Sequence, residues 1–157
     1  MTSLTFHGGV GEIGDNKIGL EDGGKRIWID FGVSFKQSGL YFDEFLQPIK
    51  YNGVVDFLEM GFLPPLSDMA GFYRQDYLSH AYMSTSPYAA YDRVFLSHAH
   101  ADRANYIHFL ISDSPNHASE VTKRIMASTE DTSSSGFNEF LNFKETFRLR
   151  LKKLVKG

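Results

Sequence analysis

The sequence predicts an α/β fold, and three observations lead to this assignment. Two extended segments, residues 16–21 and 25–33, flank an Asp-Gly-Gly turn and are typical of a β-hairpin. A further apolar run at residues 93–97 has the composition of a buried strand. A helical pattern follows it at residues 104–111. Strands first and strand–helix alternation afterwards indicate α/β or α+β, and we expect α/β.

The remaining elements follow from alternation and from breaker residues. Residues 3–7 form a short expected strand, and a glycine-rich loop follows at residues 8–14. In the second arm of the hairpin, Ile27 and Ile29 share one face while Trp28 lies on the other face with Asp30. Further along, we expect short helices at 43–49, 54–62 and 120–130, a loop or short helices at 71–91, a turn at 113–117, a linker at 132–136 and a basic helical tail at 137–157.

Length and composition are those of one folded domain. The 157 residues are 42% hydrophobic and 22% charged, which suffices to bury a core. No apolar run approaches the roughly 18 residues of a membrane span. The N-terminus also lacks the basic and apolar regions of a secretory signal, so a cytoplasmic location is expected. The net charge of −3 gives no general attraction to nucleic acid but leaves room for a local basic patch.

Cysteine is absent, which removes disulfides, thiol nucleophiles and thiolate metal sites together. Any metal ion must therefore be held by imidazole and carboxylate groups, which suit zinc, manganese or iron. Serine hydrolysis is not expected, because Ser34, Ser97 and the serines at 133–135 lie outside any recognisable nucleophile elbow.

The glycine-rich loop matches a dinucleotide-binding fingerprint in its residue spacing. Gly9, Gly11 and Gly14 have the G-x-G-x-x-G spacing after a strand, and Asp30 lies near the expected acidic position. The fingerprint requires a helix that opens at the third glycine, yet an alternating strand pattern follows Gly14. We therefore interpret the loop as a tight turn in which glycine supplies positive φ.

The most informative stretch is SHAHADR at residues 97–103, which leaves a predicted strand and enters a predicted helix. In extended backbone, residues two apart point the same way, so His98 and His100 can reach one ion together. Asp102 could offer a carboxylate to a neighbouring ion or orient a metal-bound water. A simpler interpretation makes Asp102 the N-cap of the helix and both histidines surface residues. Because H-x-H-x-D at such a junction is much rarer than H-x-H alone, we favour a metal site.

These segments together resemble the metallo-β-lactamase superfamily, whose signature is H-x-H-x-D-H after a hydrophobic strand. The similarity is to its ribonuclease J-like, β-CASP-type branch and covers nearly the whole chain, through FHGGVGEIGDNKIGLE, IWIDFGVSF, VFLSHAHAD, TKRIMAST and GFNEFLNFKETF. The resemblance implies an αββα sandwich with metals at the strand ends. It also implies hydrolysis of phosphodiester bonds in RNA by a metal-activated water.

The resemblance further implies roles for four residues. His98 and His100 match ligands of the first metal. Asp102 matches a second-metal ligand and proton acceptor, and Asp30 matches the buried acidic residue that supports the site. Asp102 and Asp30 are therefore the expected catalytic residues. We expect one zinc ion or none in this chain, with manganese as the alternative metal.

Two departures from the family pattern weaken the catalytic expectation. Arg103 stands where the motif has its last histidine, and a guanidinium cannot ligate a metal; it could instead pair with Asp102 and occupy that space. The later histidines are His108, on an apolar helix face, and His117, in the predicted turn, and we do not expect either to replace the family's downstream ligands. The competing hypothesis is a non-catalytic interaction or RNA-binding subunit, or an inactive half with a degenerate metal site.

Domains of this family are longer than this chain. We therefore expect residues 1–157 to form either a single metallo-β-lactamase-like domain or the N-terminal lobe of one. A first lobe would expose apolar surface where a second lobe docks, so a partner chain or homo-oligomer is expected to complete the fold. RNA is the other expected partner, and a membrane is not. Two alternatives stay open: His7 either ends a strand or approaches the site, and the basic tail is either a solvated helix face or a phosphate contact.

Overall fold

The computed structural model describes residues 1–42, 54–65, 71–75, 78, 88–111 and 114–132. Over these ranges the chain combines one mixed five-stranded sheet with short helices, which confirms the predicted α/β class. The predicted helix at 43–49, the tail at 137–157 and His80 lie outside the described residues. The same holds for the predicted linker at 132–136, except for Thr132, which ends a helix.

The sheet places its strands side by side in the order in which they occur along the chain. The first three strands are antiparallel neighbours, which confirms the predicted hairpin, and the last two strands add in parallel. The turn between the hairpin strands uses positive φ at Gly23 and Gly24. The strands are β1 (Ser3–Phe6), β2 (Lys17–Asp22), β3 (Lys25–Phe31), β4 (Arg93–Phe95) and β5 (Asn116–His117).

The helices are short except for the last one. Ser34 caps the first helix, where its Oγ accepts a hydrogen bond from the backbone N–H of Gln37 at 3.2 Å. No helix in the part of the chain described here has both the length and the apolar character that crossing a bilayer requires. The helices are α1 (Phe35–Tyr41), α2 (Val55–Glu59), α3 (Ala101–Ala104), a 3₁₀ helix (Asn105–Phe109) and α4 (Glu120–Thr132).

Two local predictions were wrong. The helix expected at 104–111 is instead the end of α3 followed by the 3₁₀ helix. The side chains of the 3₁₀ helix from Tyr106 to Phe109 are all buried, so they do not form the exposed polar face of an amphipathic surface helix. The turn expected at 113–117 contains β5, because Asn116 and His117 pair with β4.

The glycine-rich loop has the positive φ values of the tight turn that the sequence predicts. Gly9, Gly11 and Gly14 have φ values of 77°, 74° and 94°, which other residues rarely adopt. Strand β2, rather than a helix, follows the loop. The loop therefore lacks the helix N-terminus that would hold a pyrophosphate.

One face of the sheet packs against an aromatic core. Trp28 and Val94 project from this face and are 2% and 0% exposed. The Trp28 ring contacts Phe72 with 4.8 Å between ring centroids, and Phe72 in turn contacts Tyr91 at 4.9 Å. The predicted alternation in β3 is thus confirmed, since Trp28 is buried while Ile27 on the other face is half-buried.

The opposite face of the sheet, which we call the apolar sheet face, is partly open to solvent. Its outer members Leu4, Phe6 and Phe95 are 52%, 54% and 40% exposed. Strand pairing places these side chains on one surface with half-buried residues of β2 and β3. The face comprises Leu4, Phe6, Ile18, Leu20, Ile27, Ile29 and Phe95. Contiguous apolar surface of this kind is typical of an interaction site.

Candidate metal centre

The candidate centre lies at one edge of the sheet, where two parallel strands end. Strands β3 and β4 pair in parallel, with Ile29 opposite Phe95, so their carboxyl ends meet at this edge. Asp30 lies near the end of β3, and His98 follows the end of β4. The structure therefore places these two residues at neighbouring strand ends, as the sequence predicts.

Three side chains of the HAHAD segment converge at this edge. Among the described residues, His98, His100 and Asp102 form a group whose ligand atoms all lie within 4.8 Å of one another. Nε2 of His98 lies 3.1 Å from Nδ1 of His100. That separation is close to what two nitrogens bonded to one zinc ion at about 2.0–2.1 Å require. His100 is exposed and the other two are half-buried, so solvent and small ligands can reach the group.

Asp102 does not act as a helix cap. Helix α3 begins at Ala101, its N-cap is His100, and no side chain caps it. Asp102 thus lies in the first turn of the helix, and its carboxylate points to the two histidines. This removes the simpler interpretation in which Asp102 serves only to start the helix.

Two glycines allow the backbone around Asp102 to sit tightly against the sheet. A methyl group at Gly32 would lie 1.8 Å from the carbonyl oxygen of Asp102, and one at Gly14 would lie 3.0 Å from its Cβ. The same carbonyl accepts a hydrogen bond from the backbone N–H of Asn16 at 3.3 Å. The N-terminal loop therefore buttresses Asp102, a role that the analysis of the sequence did not assign to Gly14 or Gly32.

Asp30 anchors the loop that carries the histidines. Its side chain is buried, and its two carboxylate oxygens accept hydrogen bonds from the backbone N–H and the Oγ of Ser97, each at 2.8 Å. The backbone of Asp30 has φ 58°, a left-handed conformation that aspartate tolerates better than most residues. A buried aspartate with a sparsely populated backbone conformation, beneath a candidate ligand loop, is typical of a functional site.

Ser97 joins Asp30 to the first histidine. The Ser97 Oγ lies 2.9 Å from Nδ1 of His98 while it bonds to Oδ2 of Asp30. The lack of a nucleophile elbow around Ser97 gave no reason to place this residue in the centre. Its position directly before His98 was the available signal, because the second ring nitrogen of a metal-binding histidine usually bonds to a polar group.

Arg103 contacts both carboxylates of the centre. Its Nη1 lies 3.7 Å from Oδ2 of Asp30, and its Nε lies 3.4 Å from Oδ2 of Asp102. The ion pair with Asp102 that the sequence predicts is therefore present. The Arg103 side chain is 32% exposed, so it lies at the boundary between the buried carboxylate and solvent.

A buried ion pair that the sequence analysis missed lies beside the buttressing loop. Lys17 is 1% exposed, and its Nζ contacts Oδ1 of Asp15. The ammonium also lies 5.8 Å and 5.4 Å from the ring centroids of Phe31 and Tyr106. Burial raises the pKa of Asp15 and lowers the pKa of Lys17, and the charge of each partner opposes these shifts. No sequence pattern marked this pair, because Asp15 has φ 57° and lies outside the extended segment that begins at Lys17.

The other described histidines have their own environments. His7 packs on Trp28 with 5.0 Å between ring centroids. Its pKa is lowered, mainly by burial and to a smaller extent by the positive charge of Lys17. His108 is buried, and burial lowers its pKa to about 3. His117 stacks on Phe95 at 4.8 Å on β5. The ligand group of the described residues includes none of the three.

The donor set fits one metal ion better than two. Two imidazoles and one carboxylate are a common ligand set for a catalytic zinc ion, which keeps a fourth position open. A second ion would need Asp102 and further ligands, and Arg103 already lies against Asp102. A fixed positive charge at that distance repels a second cation.

Comparisons with known proteins add a fold relationship. Neither a family model nor a curated protein matches the chain. Among solved structures, the chain is similar to one described as a protein of unknown function from Enterococcus faecalis V583, with a TM-score of 0.64 and 25% sequence identity. The similarity covers 99% of this chain and 35% of that one, so this chain spans about a third of that protein's length.

Proposed function

We propose that this chain is a metal-dependent hydrolase of the metallo-β-lactamase type, related to the ribonuclease J-like branch. The observation that carries the proposal is the group of His98, His100 and Asp102 at a strand–helix junction, with ligand atoms within 4.8 Å of one another. Asp30 beneath the loop supports the same interpretation. The αββα sandwich belongs to this proposal, with the observed sheet as part of one of its two layers.

The protein residues have separable tasks in this proposal. His98 and His100 would hold a zinc or manganese ion through Nε2 and Nδ1, the atoms that face each other. When bound, the ion supplies Lewis acidity that lowers the pKa of a water toward about 7. Asp102, whose carboxylate lies beside both imidazoles, would supply the third ligand through one oxygen and would accept a proton from water at the other. Asp30 keeps the histidine loop in place.

Phosphodiester bonds in RNA are the substrate that we propose. The substrate class rests on the resemblance of the segments around HAHAD, and the cytoplasmic location belongs to the same proposal. A polyanionic substrate also suits the partly exposed Arg103 side chain, whose positive charge lies beside the ligand group.

Metal analysis of the purified chain tests the proposal. We expect about one zinc ion per chain after zinc loading and removal of excess metal, since the site offers a single three-ligand set. The double variant His98→Ala/His100→Ala should lose this zinc and any RNA cleavage, whereas His117→Gln, a matched change on β5, should retain both. Zinc content near zero in the parent, unchanged by added zinc or manganese, would remove the enzyme assignment.

A second candidate function is a non-catalytic RNA-binding or interaction subunit. Arg103 favours it, because one guanidinium contacts both Asp30 and Asp102 and so occupies the space of a second metal. RNA binding without cleavage by a fully zinc-loaded chain would support this candidate. Cleavage that follows zinc content would support the hydrolase.

A further inference from the structure

A continuous chain of contacts links the buried carboxylate to the candidate ligand atoms. Oδ2 of Asp30 lies 2.8 Å from Oγ of Ser97, and Oγ lies 2.9 Å from Nδ1 of His98. Across the same ring, Nε2 of His98 lies 3.1 Å from Nδ1 of His100. Both nitrogens of the His98 ring are therefore engaged, one with Ser97 and one at the centre.

The acceptor character of the Asp30 carboxylate determines where the hydroxyl hydrogen of Ser97 and the ring hydrogen of His98 lie. A carboxylate oxygen only accepts, so the hydroxyl hydrogen of Ser97 is directed to Asp30. Ser97 Oγ then has only lone pairs for His98, and Nδ1 of His98 must donate its hydrogen to Oγ. In a neutral imidazole this leaves Nε2 with a lone pair, directed at the centre.

We propose that Ser97 is a positioning residue that holds His98 in the tautomer required for metal binding. Because its hydroxyl donates to Asp30, the Ser97 Oγ can only accept a hydrogen bond from Nδ1 of His98. The lone pair of His98 Nε2 is then available to a metal ion. Without the hydroxyl, the ring proton can move to Nε2, and the ring can turn about its bond to Cβ. The tautomer part of this proposal stands on the contacts alone, whereas the metal-affinity part rests on the proposed function.

The hydroxyl can be separated from the structural anchor of the loop. The backbone N–H of Ser97 donates to Oδ1 of Asp30, and this bond does not involve the Ser97 side chain. Ser97→Ala therefore removes the hydroxyl while the loop stays attached to Asp30. Ser97→Thr keeps a hydroxyl at the same place and is the matched control.

The tautomer is read directly from the ring nitrogens of metal-free protein. Long-range ¹H–¹⁵N correlation spectra, recorded at a pH where the imidazoles are neutral, distinguish protonated Nδ1 from protonated Nε2. We expect protonated Nδ1 at His98 in the parent and in Ser97→Thr, and a shift toward protonated Nε2 in Ser97→Ala. A parent ring protonated on Nε2, or an Ala variant unchanged from the parent, would overturn the proposal.

Zinc affinity provides the second measurement. Loss of the polar partner of a metal-binding histidine typically weakens affinity about 10–100-fold, and we expect Ser97→Ala to fall in that range. Ser97→Thr should bind within about twofold of the parent. Equal affinity in Ser97→Ala would show that Ser97 does not act through His98. If the parent binds no zinc, the proposed function fails, and the tautomer spectra still decide the role of Ser97.

Discussion

Arg103 Nη1 lies 3.7 Å from the buried Oδ2 of Asp30. The same guanidinium reaches Asp102, so two carboxylates of the centre share one fixed positive charge. This arrangement stabilises the metal-free centre, because the carboxylates already have a cationic partner. It also opposes the arrival of a divalent cation.

Replacement of Arg103 by histidine tests this opposition. We expect Arg103→His to raise zinc affinity by at least about tenfold, equivalent to about 1.4 kcal/mol, because a positive charge is removed and a ligand is added. Arg103→Lys keeps the charge and should leave zinc affinity near that of the parent. Isothermal titration with zinc measures both variants. If Arg103→His binds no tighter than the parent, repulsion by Arg103 does not limit metal binding.

The ion pair between Lys17 and Asp15 makes a prediction about stability. Lys17→Met leaves the Asp15 carboxylate buried without its partner, which typically costs about 3–5 kcal/mol. The double variant Asp15→Asn/Lys17→Met removes both charges, and asparagine tolerates the φ of 57° at position 15. We expect the double variant to unfold at a higher urea concentration than Lys17→Met alone. A single variant as stable as the parent would show that the pair contributes little.

The buried ring of His108 makes stability depend on pH. Burial lowers its pKa from 6.5 to about 3 in the folded protein, so between these values the unfolded chain binds a proton that the folded chain does not. Stability contributed by the neutral ring is therefore complete above about pH 6.5 and falls by about 1.4 kcal/mol per pH unit as the pH is lowered toward 3.

Urea unfolding of the parent and of His108→Gln, from pH 7 down to about pH 4, measures this contribution. The glutamine variant should be less stable at neutral pH but should lose less stability on acidification. Parallel pH profiles for the two proteins would contradict the assignment to His108.

The apolar sheet face predicts self-association. Strand pairing also places Arg93 on this face, where its guanidinium donates a hydrogen bond to Nε2 of His117 at 2.9 Å, and the other members of the face are apolar. Five strands about 4.8 Å apart and about 15 Å long give a footprint of about 350 Å², which suits a weak dimer better than an obligate one.

Sedimentation equilibrium over increasing protein concentration measures this association. We expect a concentration-dependent dimer in the parent and a monomer in Phe6→Lys, since a charge would then be buried between the two faces. Ile13→Lys is the matched control, because Ile13 is 86% exposed but lies in the glycine-rich loop away from the face. A parent that stays monomeric at about 200 µM would exclude this partner for the face.

Local patterns in the sequence predicted the elements that depend on near neighbours. The hairpin followed from alternation and the Asp-Gly-Gly turn, and the residues of the metal centre followed from the spacing of His98, His100 and Asp102. Patterns of this kind are visible because residues two apart share one side of an extended chain.

Features that depend on distant packing were not predictable in the same way. The segment expected as a helix at 104–111 contains a 3₁₀ helix whose side chains from Tyr106 to Phe109 are all buried, and hydrophobic periodicity reveals neither feature. Strand β5 exists because Asn116 and His117 meet β4, and two residues carry no recognisable strand signal. The contact of Gly32 with Asp102 joins positions far apart in the chain.

The hydrogen bond from the N–H of Asn16 to the carbonyl oxygen of Asp102 has a consequence for the order of folding. A second bond of the same kind joins the N–H of Val33 to the carbonyl oxygen of Ala101. Both contacts close long loops, and the entropy of closure must be overcome before either bond can form. We therefore expect the ligand loop to reach its final geometry only after the N-terminal hairpin has docked, so that a partly folded chain does not present the centre.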